Sequence, residues 1–164
     1  MTPLARLRKL GKESGGAALV EFTVVAPLLL GLMCGLAEFG QMFRQYQIMQ
    51  KGVRDAARYL SHVSAQPPCT GISDPNWGTE VANAQNLAVY GTTTAGTALF
   101  AGWTDTTTVS VPAPACLTNP RVNGASLPQI TVTASAPYAD LGMLGFLGIA
   151  PITLTVSHQE LKVT

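Results

Sequence analysis

The sequence predicts an α+β protein, in which one long N-terminal helix is followed by a short helix and a small antiparallel β-sheet. Three observations carry this prediction. Residues 22–37 contain no charged side chain. The next two dozen residues repeat apolar side chains every three or four positions, which is typical of an amphipathic helix. Short segments after residue 106 alternate apolar and polar residues between proline- and glycine-rich turns, which is typical of strands.

Composition restricts the class of protein. Charged residues make up 12% of the 164-residue chain and the net charge is +1, so no strongly acidic or basic partner is indicated. Basic and aromatic residues are not interleaved, and we therefore expect no nucleic-acid partner. Glycine, threonine, alanine and proline dominate after residue 64. This balance favours an exported β-containing domain, residues 62–164, over a cytosolic enzyme.

The first 37 residues have the pattern of a membrane-targeting segment. Residues 1–16 form a leader with four basic residues and one acid, Glu13, which favours a cytoplasmic N-terminus. Residues 17–37 reach the roughly 20 residues needed to cross a bilayer as a helix, and exceed the apolar core of an ordinary signal peptide. One carboxylate, Glu21, lies inside this run. A charge in that position is costly and is a functional hypothesis by default.

The helix is predicted to continue from residue 17 to residue 61. Its second half has one apolar stripe, and Lys51 and Asp55 are spaced to pair. Pro27 is tolerated as a kink within a membrane helix, whereas the pair Pro67 and Pro68 ends the element. The stripe consists of Phe39, Met42, Tyr46, Met49, Val53, Ala56 or Ala57, and Leu60.

The remaining chain predicts one helix and three strands. Residues 80–90 form a short helix, capped by Thr79 and closed by Gly91. Alternation predicts strands over residues 107–111, 129–136 and 152–156, the last extending through Leu161 and Val163. Residues 121–128 are turn-rich. Residues 141–149 are apolar but too short to span a membrane, so they are expected to pack on an apolar surface.

Three cysteines are present. Cys34 lies in the apolar run and is expected to be a packed small hydrophobe. Cys69 and Cys116 lie in the polar part, where a disulfide between them is the natural interpretation of an exported domain; two unpaired thiols are the alternative. Their spacing fits no zinc motif, and no metal or cofactor is expected.

No catalytic signature is present. The chain lacks the nucleophile elbow, zinc-protease, phosphate-loop and dinucleotide-binding motifs. The only histidines, His62 and His158, are far apart in sequence, and neither is spaced to pair with a nucleophile. We therefore do not expect an enzyme.

The segment around Gly16 resembles a known processing motif. Gly16, Ala17 and the pair Glu21-Phe22 are arranged as in the cleavage motif of type IV and Flp-type prepilins, where a glycine precedes the cut and a glutamate is fifth in the mature chain. The run GGAALVEFTVVAPLLLGLMCGLAEFGQ with the later KGVRDAARYLS resembles the TadE-like family of pseudopilins, from the tight-adherence (Flp) pilus system. AQNLAVYG resembles the second helix of that family.

The resemblance implies a pilin-like fold and a role in assembling a pilus used for surface attachment. It implies cleavage between Gly16 and Ala17 by a prepilin peptidase, and a role for Glu21 and Phe22 in processing or assembly. The implied partners are that peptidase, other pilins or pseudopilins and the pilus assembly proteins of the bacterial inner membrane. The chain would cross that membrane once, with its C-terminal domain in the periplasm or outside.

Simple chemistry supports the motif. Glycines at positions 15 and 16 leave the scissile bond unhindered. Cleavage would expose an α-amino group on Ala17 with an unperturbed pKa near 7.7–8.0, and Glu21 of a neighbouring subunit could neutralise it. The alternatives are an uncleaved signal anchor in which Glu21 is an interfacial acid, and a membrane-anchored module whose domain binds a glycan or a protein.

Overall fold

A computed structural model describes residues 14–69, 74–118 and 126–162. The fold is α+β, as predicted. The described residues divide into two compact units, with the boundary between Gly40 and Gln41. The elements, in chain order, are α1 (Ser14–His62), α2 (Trp77–Tyr90), a 3₁₀ turn (Thr106–Thr108), β1 (Val109–Ser110), β2 (Ala115–Thr118), β3 (Ser126–Pro137), α3 (Met143–Phe146) and β4 (Thr153–Leu161).

Helix α1 contains 49 residues and includes Pro27, as the sequence predicts. It begins three residues before the predicted start. The hydroxyl of Thr23 donates to Leu19 O at 2.7 Å. Pro27 has no N–H to offer the carbonyl of Thr23, one turn earlier, but the helix continues through this position. Residues 1–13 of the leader lie outside the described residues.

Helix α2 closes as predicted and opens differently. Gly91 adopts φ 75°, and its N–H donates to Leu87 O at 2.9 Å. This left-handed closing residue is the reason for a glycine here. The predicted cap at Thr79 is wrong, because α2 begins at Trp77 and Thr79 lies inside it. Asn76 precedes the helix, and its carbonyl accepts the N–H of Glu80 at 3.1 Å.

Strand β3 is the centre of a four-stranded antiparallel sheet. Strand β4 pairs along one edge of β3, from Gln129 opposite Leu161 to Pro137 opposite Thr153. The other edge of β3 carries β1 and β2. Of the predicted strand 107–111 only Val109–Ser110 forms, because Asp105 accepts the N–H of Thr107 at 2.8 Å and holds a 3₁₀ turn there.

Strand β2 has no counterpart in the sequence prediction. Val109 lies opposite Ala134, and Ala115 lies opposite Gln129. Between these two pairs the chain of β1 and β2 advances by six residues, whereas β3 advances by five. The extra residue lies in the unpaired stretch 111–114, which contains two prolines, at positions 112 and 114, that cannot donate to the sheet. The predicted turn-rich link at 121–128 is a strand where it is described, since Leu127 and Pro128 belong to β3; residues 119–125 lie outside the described residues.

The core lies between one face of the sheet and the two longer helices. The predicted stripe of α1 is buried from residue 49 onward, with Met42 and Tyr46 half-buried against it. Trp103 is fully buried and its indole N–H donates to Thr108 Oγ1 at 3.0 Å. The main contributors are Met49, Val53, Ala56, Ala57 and Leu60 from α1, Ala84, Ala88 and Val89 from α2, Ile130, Val132, Ala134 and Ala136 from β3, and Leu154 and Val156 from β4.

Helices α1 and α2 make a close approach at Gly52. A β-carbon at this position would overlap the carbonyl oxygen of Ala88 and lie 3.2 Å from the ring of Trp103. Small residues on both helices therefore set how closely the two backbones pack.

The segment 141–149 only partly fulfils its prediction. It contains the short helix α3, and Leu144 packs against the core. Four apolar side chains of the segment are nevertheless exposed: Leu141, Phe146, Leu147 and Ile149. The interpretation of the whole segment as packed is therefore wrong for those four residues.

Candidate assembly and processing segment

The predicted processing site lies at the start of α1. Gly16 is exposed, and a β-carbon added there would meet nothing within 4 Å. The bond between Gly16 and Ala17 lies within the first turn of the helix, which begins at Ser14. The first N–H groups of a helix have no intrahelical partner, so this turn opens at lower cost than the helix interior.

Glu21 and Phe22 lie one turn further along the helix and are both exposed. Their neighbours Leu19, Val20 and Val24 are also exposed, by about two thirds or more. Within the described ranges, Glu21 forms neither an ion pair nor a hydrogen bond through its side chain. Its carboxylate therefore has no partner among these residues and lies on a helix surface that is otherwise mostly apolar.

This part of α1 is the one helix, among the described residues, that is long and apolar enough to cross a membrane. None of the residues in its most apolar stretch, 18 residues long, is buried by the rest of the described chain. An apolar helix face without protein cover has to meet lipid or another helix.

Two further residues, Cys34 within the apolar part of α1 and Glu38 at its end, differ in exposure. Cys34 is exposed and its thiol is free, so the expectation that it packs within the chain is wrong. Its surroundings are apolar, and Leu32, Met33 and Leu36 beside it are exposed as well. Glu38, at the end of the run, is buried.

Cys69 and Cys116 form a disulfide, with Cα atoms 5.5 Å apart and a separation of 47 positions in sequence. Cys116 lies on β2 opposite Pro128, and therefore on the face of the sheet that packs against the helices. Cys69 follows Pro67, which is fully buried. The bond joins the segment after α1 to the edge of the sheet.

Gln45 was not singled out by the sequence prediction, yet it makes two hydrogen bonds to one peptide segment. Its Nε2 donates to Ala139 O at 2.7 Å, and its Oε1 accepts the N–H of Ala139 at 3.0 Å. The side chain is 2% exposed. A glutamine on a helix usually faces solvent, and the one signal for a different role was its position beside the apolar stripe.

Tyr59, in the AARYL segment, links α1 to α2. Its hydroxyl donates to Glu80 Oε2, which also accepts from Asn83 Nδ2 at 3.3 Å. The hydrogen bond to Glu80, together with burial, raises the pKa of Tyr59 above its usual value of 10.0. The AARYL segment, residues 56–60, packs against the domain, because Ala56, Ala57 and Leu60 lie in the core.

Lys162 is a buried cation at the C-terminal end of α1. Its Nζ donates to Leu60 O at 3.4 Å and to Val63 O. Positive charge at this end of a helix is favourable, because the last carbonyls lack helical partners. Burial lowers the pKa of the ammonium group.

The described residues contain no group of three or more His, Cys, Asp or Glu side chains placed to hold a metal ion. His158 Nε2 lies 3.3 Å from Glu160 Oε2, on a half-exposed part of β4.

Within the described residues, one apolar helix is long enough to span a membrane, and the same helix continues into one wall of a small disulfide-linked α+β domain. This combination defines the class of protein. Residues 16–58 match the family model described as TadE-like protein. The predicted resemblance is confirmed over this segment, which is 43 of the 164 residues. Comparison with curated proteins gave no match, and neither did comparison with solved structures.

Proposed function

We propose that this protein is a minor pilin or pseudopilin that takes part in assembling a tight-adherence (Flp) pilus for surface attachment. The observation that carries the proposal is the coincidence of the TadE-like match over residues 16–58 with an uncovered apolar helix that bears a single carboxylate, Glu21. Such a helix is suited to lateral packing against other pilin helices. The role is structural and not enzymatic.

In the proposed pathway the chain inserts into the bacterial inner membrane with its N-terminus in the cytoplasm. A prepilin peptidase cuts after Gly16, and the domain faces the periplasm or the outside, where the Cys69–Cys116 bond is stable. Other pilins and the inner-membrane assembly proteins are the partners. Exposure at Gly16 supports access by the peptidase.

The decisive experiment is N-terminal sequencing of the purified protein from cells with and without the prepilin peptidase. We expect the mature chain to begin at Ala17 when the peptidase is present. The variant Gly16→Val should remain at unprocessed size and stay in the membrane, because a β-branched side chain blocks close approach to the scissile bond. A mature-size band in peptidase-deficient cells would contradict the assignment.

Glu21→Gln tests assembly apart from processing. The amide keeps the side-chain shape but cannot neutralise the cationic amino terminus of a neighbouring Ala17. Breaking a buried pair from one side costs roughly 3–5 kcal/mol, less where water reaches it. We expect normal membrane insertion, continued cleavage and loss of surface pili.

Membrane fractionation, leader cleavage and pilus counts should be compared in one strain, with Thr23→Val as the matched control. Thr23 lies two residues away and its hydroxyl is already satisfied by Leu19 O, so this control should assemble normally. Normal piliation of Glu21→Gln would make Glu21 an interfacial acid. A protein uncleaved in its own cells, with a domain that retains a ligand, would favour the anchored binding module instead.

A further inference from the structure

The exposed apolar segment 141–149 is not explained by the pilin role. It lies in the connection between β3 and β4, just beyond the closing hydrogen bond from Tyr138 N to Ile152 O at 2.8 Å. Phe146 is 88% exposed, and Leu141 and Leu147 are each 62% exposed. No charged residue occurs from Leu141 to Ser157. We call residues 141–149 the apolar loop.

The backbone of the apolar loop is largely satisfied from within. Phe146 N donates to Gly142 O, Leu147 N to Met143 O and Ile149 N to Leu144 O, at 2.9 to 3.3 Å. Gly142 and Gly148, at φ 95° and 68°, allow the tight turns at its two ends. An ordinary solvated loop can leave these groups to water, whereas a segment that enters lipid has to satisfy them internally.

The apolar loop is held close to the beginning of the second compact unit, which starts at Gln41. Gln45 binds both backbone groups of Ala139, two residues before the loop. Eight positions of sequence separate Gln45 from Ala37, the last residue of the apolar run, so a short stretch of chain tethers the loop to the segment that would span the bilayer. Leu144 packs into the core and fixes the inner side of the loop, so that Phe146 remains outward.

We propose that the apolar loop inserts into the interfacial layer of the same bilayer that the N-terminal helix spans. Phe146 and its aliphatic neighbours have the character of interfacial anchors. A protein partner is a poorer occupant, because a standard protein interface buries about 800 Å² on each side and involves some twenty residues. Four side chains do not supply such a surface. The proposal requires the membrane anchor but not the pilus role.

The test uses the full-length protein in phosphatidylcholine vesicles, with and without bromine on the acyl chains. Phe146→Trp places a fluorophore on the loop, and bromine quenches a tryptophan that it contacts. The matched control is Leu117→Trp. Leu117 is 42% exposed on β2, which pairs with the start of β3, at the opposite end of that strand from the loop. The native residues Trp77 and Trp103 are buried, and their signal is subtracted by using the unsubstituted protein.

In brominated vesicles we expect weaker fluorescence from the tryptophan introduced at position 146. In unbrominated vesicles we expect the emission of this tryptophan to shift to shorter wavelength. The tryptophan of Leu117→Trp should show neither change. Three outcomes would overturn the proposal: no quenching at position 146, a short-wavelength shift there without quenching, which indicates protein cover, or equal quenching at both positions, which indicates that the whole domain rests on lipid. Normal leader cleavage with any of these would leave the pilus assignment standing.

Discussion

The two halves of α1 contain similar kinds of apolar residues in opposite environments. Val24 and Leu28 in the first half are more than 70% exposed, whereas Met49 and Val53 in the second half are at most 1% exposed. The first half is apolar on all sides apart from Glu21 and Thr23, and the second has a single stripe with charged residues on the remaining surface. Periodicity therefore indicates what covers a helix: lipid or other helices in the first case, its own domain in the second.

The largest expected effect is on the domain that covers the second half. Cys69→Ser removes a bond that closes a 47-residue separation, and the chain-entropy model assigns about 4 kcal/mol to such a loop. Chemical unfolding followed by the fluorescence of Trp77 and Trp103 measures the loss. Cys34→Ser is the control and should change nothing, because Cys34 lies in the uncovered half. Equal stability of both variants would mean that the disulfide is dispensable.

A matched pair of glycine substitutions compares the halves directly. Gly52→Ala forces the crossing of α1 and α2 apart, because its β-carbon overlaps the backbone of Ala88; overpacking of this kind costs about 1–3 kcal/mol. Gly35→Ala meets nothing within 4 Å and improves helix propensity, so domain stability should be unchanged. The same denaturation experiment reads out both. If the two variants were equally stable, the close crossing would not exist.

The smallest expected effect concerns Tyr59→Phe, which removes one hydrogen bond to Glu80 and should cost about 1 kcal/mol. Tyr46→Phe is the control, since its hydroxyl only accepts from exposed Gln50 at 3.3 Å.

The pKa of Tyr59 adds a pH dependence to this comparison. It is raised in the folded state, so the folded protein keeps the proton longer than the unfolded chain. The stabilisation from this group is complete below pH 10.0 and is lost as the pH rises through the folded-state pKa. Unfolding midpoints measured across this range should fall more for the unsubstituted protein than for Tyr59→Phe. Parallel curves would show that the bond does not form.

Local patterns predicted most of the architecture. The apolar run, the stripe from Met49 to Leu60 and the alternation in β3 and β4 each depend on neighbouring residues, and each appears in the structure. Gly91 closes α2 for a conformational reason that sequence alone conveys. The segment that contains Gly16 and Glu21 resembles a prepilin cleavage motif, and the family match covers these residues, but cleavage after Gly16 stays a prediction.

The missed features depend on distant partners. Strand β2 has prolines before it and no alternation, and it forms because the start of β3 offers it an edge to pair with. Gln45 and Lys162 are polar residues whose burial depends on backbone groups of Ala139 and Leu60, roughly a hundred residues away in sequence. No local pattern distinguishes such residues from ordinary surface residues. Leu144 and Phe146, two residues apart in one loop, differ in burial for the same reason.

The clamp that Gln45 forms on Ala139 also limits how such a protein can be divided or recombined. Residues 41–62 of α1 supply one wall of the core. A head, meaning residues 63–164, that is exchanged between relatives therefore has to bring its own second half of the helix. A gene fusion joined after His62 would give a head without that wall. Over evolution, residues 41–62 should therefore change together with residues 63–164 more than with the apolar segment that precedes them in the same helix.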